Sequence, residues 1–163
     1  MKTRWIAAMG LLFLSSCGYH LADQSGGAIP EDVHSLAITA VDAAAKPMVQ
    51  VIHRYLIGKE KEYDIVQISG ADAELRLERF SETFSPVGFD AAGVAIAYKS
   101  FLIGELSLWR EGKRLWSSGM IQVQGDVFAE GGPASIDASR ERARDDLRRH
   151  WAREAWQRLS SGF

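Results

Sequence analysis

The sequence has very little cysteine: Cys17 is the only one among 163 residues. One thiol cannot form an internal disulfide, so the fold has to be held by the burial of apolar side chains. The sequence also lacks an apolar run of about 20 residues, the length that a membrane-spanning helix requires. Its net charge is −2, unlike the strongly basic domains that bind nucleic acids. We therefore expect no transmembrane helix and no nucleic-acid partner.

Recognisable catalytic motifs are absent as well. The sequence contains no G-x-x-x-x-G-K-[ST], G-x-G-x-x-G or G-x-S-x-G pattern, which excludes the common nucleotide-binding and hydrolase signatures. Carboxylates are plentiful, but none forms a recognisable acid–base pair. The four histidines do not have the spacing of metal ligands: His20, His34, His53 and His150. We expect no enzymatic activity, no catalytic residues, no metal site and no cofactor.

The N-terminus has the pattern of a secretory signal peptide. Lys2 and Arg4 precede a short apolar run over residues 5–14, and small residues follow at 15 and 16. The Leu-Ser-Ser-Cys sequence that ends at Cys17 is also the pattern of a bacterial lipobox. In lipoproteins, cleavage falls before this cysteine and its thiol receives diacylglycerol. We predict lipidation at Cys17; the alternative is an ordinary signal peptide with an incidental cysteine.

These signals divide the chain into three parts. Cleavage before Cys17 removes residues 1–16 from the 163 and leaves 147, the size of one domain with a real core. Residues 17–32 contain Gly26, Gly27 and Pro30 and are predicted to be a lipid-anchored tether. Residues 33–163 form the single domain. Gly18 stands where lipoproteins retained in the inner membrane often carry Asp, which favours the outer membrane.

Hydrophobic periodicity predicts an α+β domain. We expect a strand at residues 33–39, a helix that begins at Pro47, a strand at 63–68 and a strand from Ala73 with a bulge near Arg79. A loop at 86–93 then precedes a strand at 94–109, a turn at 110–113, a return strand, and a final helix capped by Ser135 or Asp137. The predicted architecture is a two-layer sandwich: a four-stranded, mostly antiparallel sheet with two helices on one face, in the order β-α-β-β-β-α.

One surface feature is a candidate contact for lipopolysaccharide or a protein partner. The tip of the last hairpin places Arg110, Lys113 and Arg114 between Trp109 and Trp116. Arginine can bond a phosphate while an indole ring meets alkyl chains, so this combination suits a phosphate-bearing amphiphile. The alternative is a turn with ordinary solubilising charges and two tryptophans that pack on the sheet.

Several segments resemble the lipopolysaccharide-assembly lipoproteins, the LptE-like family. Members begin with Cys-Gly, an aromatic residue, a variable residue and Leu, as in Cys17–Gly18–Tyr19–His20–Leu21. Residues 84–93, Phe-Ser-Pro-Val-Gly-Phe-Asp-Ala-Ala-Gly, look like the loop between the family's second and third strands. Tyr98 and Lys113–Arg114–Leu115–Trp116 look like its central hairpin. The chain departs from the family at Ala22–Asp23, where many members have Arg-Gly, and in its Arg- and Trp-rich final helix.

The resemblance covers essentially the mature chain and implies a non-enzymatic role. Family members plug the large outer-membrane β-barrel that delivers lipopolysaccharide to the cell surface, assist its assembly and bind lipopolysaccharide. The implied partners are that barrel, lipopolysaccharide, and the outer membrane through the lipid anchor, with the domain on the periplasmic side or inside the barrel lumen. Only the anchor at Cys17 carries over residue by residue. The alternative is an envelope lipoprotein of similar fold that serves another secretion or assembly machine.

Overall fold

The computed structural model describes residues 27–57, 64–66, 68–128 and 133–162. The predicted signal peptide, Cys17 and most of the tether lie outside the described residues. The helices and strands, in chain order, are β1 (Ser35–Ala40), α1 (Lys46–Ile57), β2 (Asp64–Ile65), β3 (Ala73–Phe89), β4 (Ala95–Arg110), β5 (Lys113–Phe128) and α2 (Pro133–Ser161).

The sheet has the spatial order β2-β1-β3-β4-β5. Strand β1 runs parallel to both of its neighbours, whereas β3, β4 and β5 form two long antiparallel pairs. The predicted α+β class is confirmed, but the predicted count of four strands is wrong: the described sheet has five, in the order β-α-β-β-β-β-α. The predicted segments themselves number five when the strand at 63–68 is included, and this segment does form a strand. Its described part pairs with β1 only through Asp64–Ile65, and the 3₁₀ turn Ile68–Gly70 then separates this short edge strand from β3.

Strand β3 bends where the sequence predicts a bulge. Its register with β4 shifts between Glu78 and Ser81, and Arg79 has a φ of 56°, which confirms the predicted position. The bulge keeps Phe80 on the same face as Leu77, facing the helices. The loop predicted from residue 86 is wrong in its first half, because β3 continues to Phe89. Proline is tolerated there because β1 pairs only with the start of β3, so the later part of β3 is an edge.

The core lies between one face of the sheet and both helices. The helix predicted from Pro47 is confirmed as α1, which begins one residue earlier, at Lys46. Its buried Met48, Ile52 and Leu56 belong to one cluster with the leucines of β3 and β4. The cluster also includes five residues of α2: Leu147, Trp151, Ala152, Ala155 and Leu159. Burying a large apolar side chain contributes roughly 1.5–3 kcal/mol, so this cluster is the main source of stability in a chain without disulfides.

Helix α2 begins earlier than the predicted caps at Ser135 and Asp137. Its first residue is Pro133, whose fixed φ suits the first helical position and whose missing N–H is not needed there. The helix is held over β3 by two arginines, because Arg144 and Arg148 lie 3.1 Å and 2.9 Å from the Glu82 carboxylate. These ion pairs fix the helix layer against one face of the sheet and leave the opposite face free.

Candidate partner-binding surface

The sheet face opposite the helices, here called the open face, carries charged and polar side chains. Side chains alternate between the two faces of a strand, so residues between the buried leucines point away from the helices. The register pairs Glu74 with Trp109, Arg76 with Ser107 and Glu78 with Glu105 across β3 and β4. An antiparallel sheet can keep one face in contact with solvent or a polar partner. The open face is therefore the candidate partner-binding surface.

At one end of the open face, Arg76 links a carboxylate to an aromatic ring. Its guanidinium lies 4.2 Å from the centre of the Trp109 ring and donates hydrogen bonds of 2.9 Å and 2.8 Å to Glu74. The Thr39 hydroxyl donates a further bond of 2.6 Å to the same carboxylate. Burial opposes ionisation of Glu74, but the bonds from Arg76 and Thr39 outweigh it and hold the pKa of that carboxyl below its usual value. This group is a rigid, charge-balanced patch.

A second group surrounds a buried carboxylate in the middle of the open face. The Glu105 side chain is only 1 % exposed, and it pairs with Arg79 of β3 and accepts a hydrogen bond from the Ser117 hydroxyl. Arg114 Nη1 lies 3.9 Å from Glu105 Oε1. The side chains of Arg79 and Arg114 are 61 % and 52 % exposed, so both guanidiniums remain accessible from solvent. Glu105 is not among the predicted site residues, although a carboxylate between Gly104 and Leu106 in an apolar strand is a signal for such a site.

The two candidate tryptophans lie on opposite faces of the sheet. Trp109 is on the open face and donates a hydrogen bond of 2.8 Å from Nε1 to Ser107 Oγ. Trp116 stands opposite Leu108 and packs against the core, on the helix side. The β4–β5 register shifts between Leu108 and Trp109, so Trp116 and Trp109 face opposite sides of the sheet. The structure therefore does not place the three candidate cations between two indole rings.

The candidate cations have different surroundings. Arg110 Nη1 lies 2.8 Å from Asp32 Oδ2, and this hydrogen bond lowers the pKa of the Asp32 carboxyl and raises that of the Arg110 guanidinium. Lys113 is exposed at the turn, and Arg114 leans toward Glu105. Trp109 and Arg110 also line a shallow recess of about 180 Å³ next to Asp72. Among the described residues, Arg110 is the one cationic residue that lines this recess, beside the carboxylates of Asp72, Glu74 and Glu111, and it is already paired with Asp32. The described part of the recess is therefore a polar surface without an unpaired cation.

The chain enters the domain at the same end as the β4–β5 turn. The Ala28 N–H donates a hydrogen bond of 2.7 Å to the Leu159 carbonyl at the end of α2, and Ile29 is buried in the core. Asp32 then reaches Arg110 at the turn. Ten residues separate Gly27 from Cys17, a reach of at most about 35 Å for an extended chain. A lipid on Cys17 would thus keep this end of the domain close to a membrane surface.

Comparisons with known proteins identify the fold. No family model and no curated protein matches the chain. Among solved structures, the chain is similar to the rare lipoprotein B of Shewanella oneidensis, with a TM-score of 0.59 and 19% identity over 76% of this chain and 91% of that one. It is also similar to a minor lipoprotein of Acinetobacter baumannii, with a TM-score of 0.63 and 8% identity over 79% and 92%. An uncharacterized lipoprotein B of Nitrosomonas europaea gives a TM-score of 0.61 and 12% identity over 80% and 84%.

These similarities show that the domain has a fold found in bacterial lipoproteins. The identities are too low to carry a function from one protein to another. Neither helix in the described ranges combines the length and the apolar character needed to cross a membrane.

Proposed function

We propose that this protein is an outer-membrane lipoprotein of the lipopolysaccharide-transport translocon, where it plugs the partner β-barrel, assists its assembly and binds lipopolysaccharide. The observation that carries the proposal is a coincidence of two independent features. A lipobox ends at Cys17, and the domain behind it has a fold found in bacterial lipoproteins. Several acyl chains on one cysteine anchor a protein stably, whereas one chain alone binds only marginally.

The open face supports the proposed role as a plug. The interior of a transmembrane barrel is polar, so a domain that lodges there must present polar groups that cost little to remove from water. Most charges described on the open face are already compensated within the domain, as in the Arg76–Glu74 and Arg79–Glu105 pairs. Such a face can be buried against a polar wall without leaving an isolated charge, which would be costly.

The basic groups near the β4–β5 turn support the proposed contact with lipopolysaccharide. Lys113 is exposed, and Arg114 and Arg79 keep more than half of their side chains accessible beside Glu105. Guanidinium groups make strong bidentate bonds to phosphate, which lipopolysaccharide carries on its lipid headgroup. The three groups lie on β3 and β5, on either side of β4, so one phosphate-bearing headgroup could contact more than one of them.

Depletion of the protein tests this function in cells. We expect lipopolysaccharide at the cell surface to fall on depletion and to be restored by the wild-type chain. It should also be restored by Arg153→Glu, a control that changes an exposed charge on α2, away from the open face. Unchanged surface lipopolysaccharide in fully depleted cells contradicts the proposal. That result would favour the alternative, an envelope lipoprotein of similar fold that serves another secretion or assembly machine.

A further inference from the structure

The sheet ends in a long strand that has a neighbour on one side only. Strand β5 spans Lys113–Phe128 and pairs with β4, and it is the last strand of the sheet order. An edge strand turns a row of backbone N–H and C=O groups outward, and these groups can pair with another strand. The other edge consists of β2, which contains only two residues, and the later part of β3, which is distorted by the bulge at Arg79 and contains Pro86. The edge of β5 is therefore the principal surface for strand addition in the described part of the chain.

The first half of this edge is protected. A register shift around Gly119 distorts the strand, which is a common way to prevent pairing. Arg158 Nη1 of α2 also donates a hydrogen bond of 2.8 Å to the Ser118 carbonyl, and Trp151 Nε1 donates one of 3.3 Å to the Ile121 carbonyl, at the border with the second half. A strand that approaches from outside would meet a bulge and occupied acceptors there.

The second half of the edge has none of the usual sequence protection. Residues 120–128 keep an unbroken register with β4 and contain no proline, lysine or arginine. Their only charged side chain is Asp126. Met120 and Phe128 lie on the open face at the two ends of this segment and are 47% and 61% exposed.

The open-face side chains of this segment are complementary to themselves. When two copies pair antiparallel with Gln124 opposite Gln124, each Gln122 faces Asp126 of the second copy, and each Met120 faces Phe128 of the second copy. Amide groups thus meet carboxylates, apolar groups meet apolar groups, and no like charges are opposed. A shift by two residues in one direction puts Met120 opposite Asp126, and in the other direction puts Gln122 opposite Phe128. The pattern therefore favours one register.

We propose that two copies of this chain associate through residues 120–128 of β5, in antiparallel register about Gln124, to form one continuous sheet. The partner strand is that of a second copy, because the side chains of this segment are complementary to their own sequence in reverse. The proposal does not rest on lipopolysaccharide transport, because it uses only the edge of the sheet and the composition of β5. It predicts that the protein free of other partners is a symmetric dimer whose edge strands cover each other.

Cysteine cross-linking tests the register. Cys17 is the only native cysteine, so the wild-type full chain, purified in detergent, is the background control. Gln124→Cys places two thiols opposite each other across the two-fold axis, and directly opposite residues in an antiparallel pair lie within the span of a disulfide. We expect Gln124→Cys to give disulfide-linked dimers on mild oxidation. Gln122→Cys alone should not, but it should cross-link when mixed with Asp126→Cys.

Three outcomes overturn the proposal: self-cross-linking of Gln122→Cys as efficient as that of Gln124→Cys, a dimer in solution without the Gln124→Cys cross-link, or a monomer without any cross-link.

A second pair of variants tests the same register through charge. Gln122→Lys faces Asp126 of the second copy and should strengthen association, whereas Gln122→Glu should weaken it. The pair between residue 122 and Asp126 occurs twice in a symmetric dimer. We therefore expect the dissociation constant, measured by sedimentation, to fall roughly 2- to 30-fold for Gln122→Lys and to rise by a similar factor for Gln122→Glu. Shifts of the same sign contradict the register.

Discussion

Arg110 Nη1 of the β4–β5 turn lies 2.8 Å from Asp32 Oδ2, in the segment that leads back toward Cys17. This ion pair joins two parts of the chain that are 78 residues apart. It places the candidate basic turn at the end of the domain where the chain enters from the predicted lipid anchor. The point where the chain enters the domain and the candidate contact residues therefore lie at the same end of the sheet.

The first prediction concerns the anchor itself. We expect radiolabelled palmitate to be incorporated into the wild-type protein and not into Cys17→Ser, because Cys17 provides the only thiol for acylation. The wild-type protein should fractionate with the outer membrane and the variant should not, since a domain without acyl chains loses its stable attachment. Ser16→Ala, which keeps a small residue next to the cleavage site, is the matched control and should be labelled as efficiently as the wild type.

The second prediction concerns lipopolysaccharide capture at the turn. Reversing Arg110, Lys113 and Arg114 to Glu together should weaken capture by roughly 10- to 100-fold, because each Lys or Arg near an anionic lipid surface contributes about 1 kcal/mol. A pull-down with immobilised lipopolysaccharide, at several salt concentrations, measures this. The difference in capture between the wild type and the triple variant should shrink as the salt concentration rises.

A matched triple variant controls for net charge. Arg142, Arg149 and Arg153 are exposed on α2, on the other side of the sheet from the open face, and their reversal changes the total charge by the same amount. This control should keep most of the capture. Equal loss in both triple variants would mean that capture depends on net charge and not on the turn. Thermal unfolding of each variant checks folding, since Arg114 lies beside the buried Glu105.

The third prediction concerns the packing of Phe80 on Gly104. A Cβ atom at Gly104 would lie 2.6 Å from the Phe80 ring, and that ring is fixed by an edge contact with Trp151 at 4.7 Å. Gly104→Ala should therefore lower the free energy of unfolding by about 1–3 kcal/mol. Gly70→Ala is the control, because no heavy atom lies within 4 Å of its Cβ position. Urea unfolding compares the two; equal stability would show that the ring can move aside.

The fourth prediction is a pH dependence at Glu74. The pKa of the Glu74 carboxyl is lowered in the folded domain, from an ordinary value of 4.5. Its bonds with Arg76 and Thr39 therefore stabilise the fold at pH values above 4.5, and this stabilisation is lost as the pH falls through the lowered pKa. Glu74→Gln should lower the free energy of unfolding by about 1–3 kcal/mol at pH 7. At acid pH the wild type and the variant should become equally stable in urea unfolding. Glu141→Gln, at an exposed helix position, should show a much smaller difference at pH 7.

The fold was predictable where one periodicity extends over many residues. The stripe of α1 and the long strands β4 and β5 follow directly from the spacing of buried residues such as Met48, Ile52 and Leu102. The periodicity also indicated the strand at 63–68, which the predicted count of four left out, but the extent of its pairing was not predictable. The pairing of Asp64–Ile65 with β1 is a two-residue contact set by the tertiary structure, and the strand through Pro86 exists because β3 is an edge there.

The candidate surface was less predictable than the fold. Trp109 and Trp116 appear equivalent in the sequence, but a register shift between Leu108 and Trp109 places them on opposite faces. A one-residue change of register exchanges the faces of a strand, and no local pattern reveals it. The ion pair between Asp32 and Arg110 joins residues far apart in the chain, and so does the contact of Arg79 with Glu105. Both depend on topology that composition and spacing do not contain.

The most direct test of the central proposal is affinity purification of the full-length tagged protein from detergent-solubilised outer membranes, with Cys17→Ser as the parallel control. We predict that the wild-type protein recovers the lipopolysaccharide-transport β-barrel as its main partner. Recovery of the wild-type protein from the outer membrane with no barrel partner, or with the components of another secretion machine, contradicts the proposal.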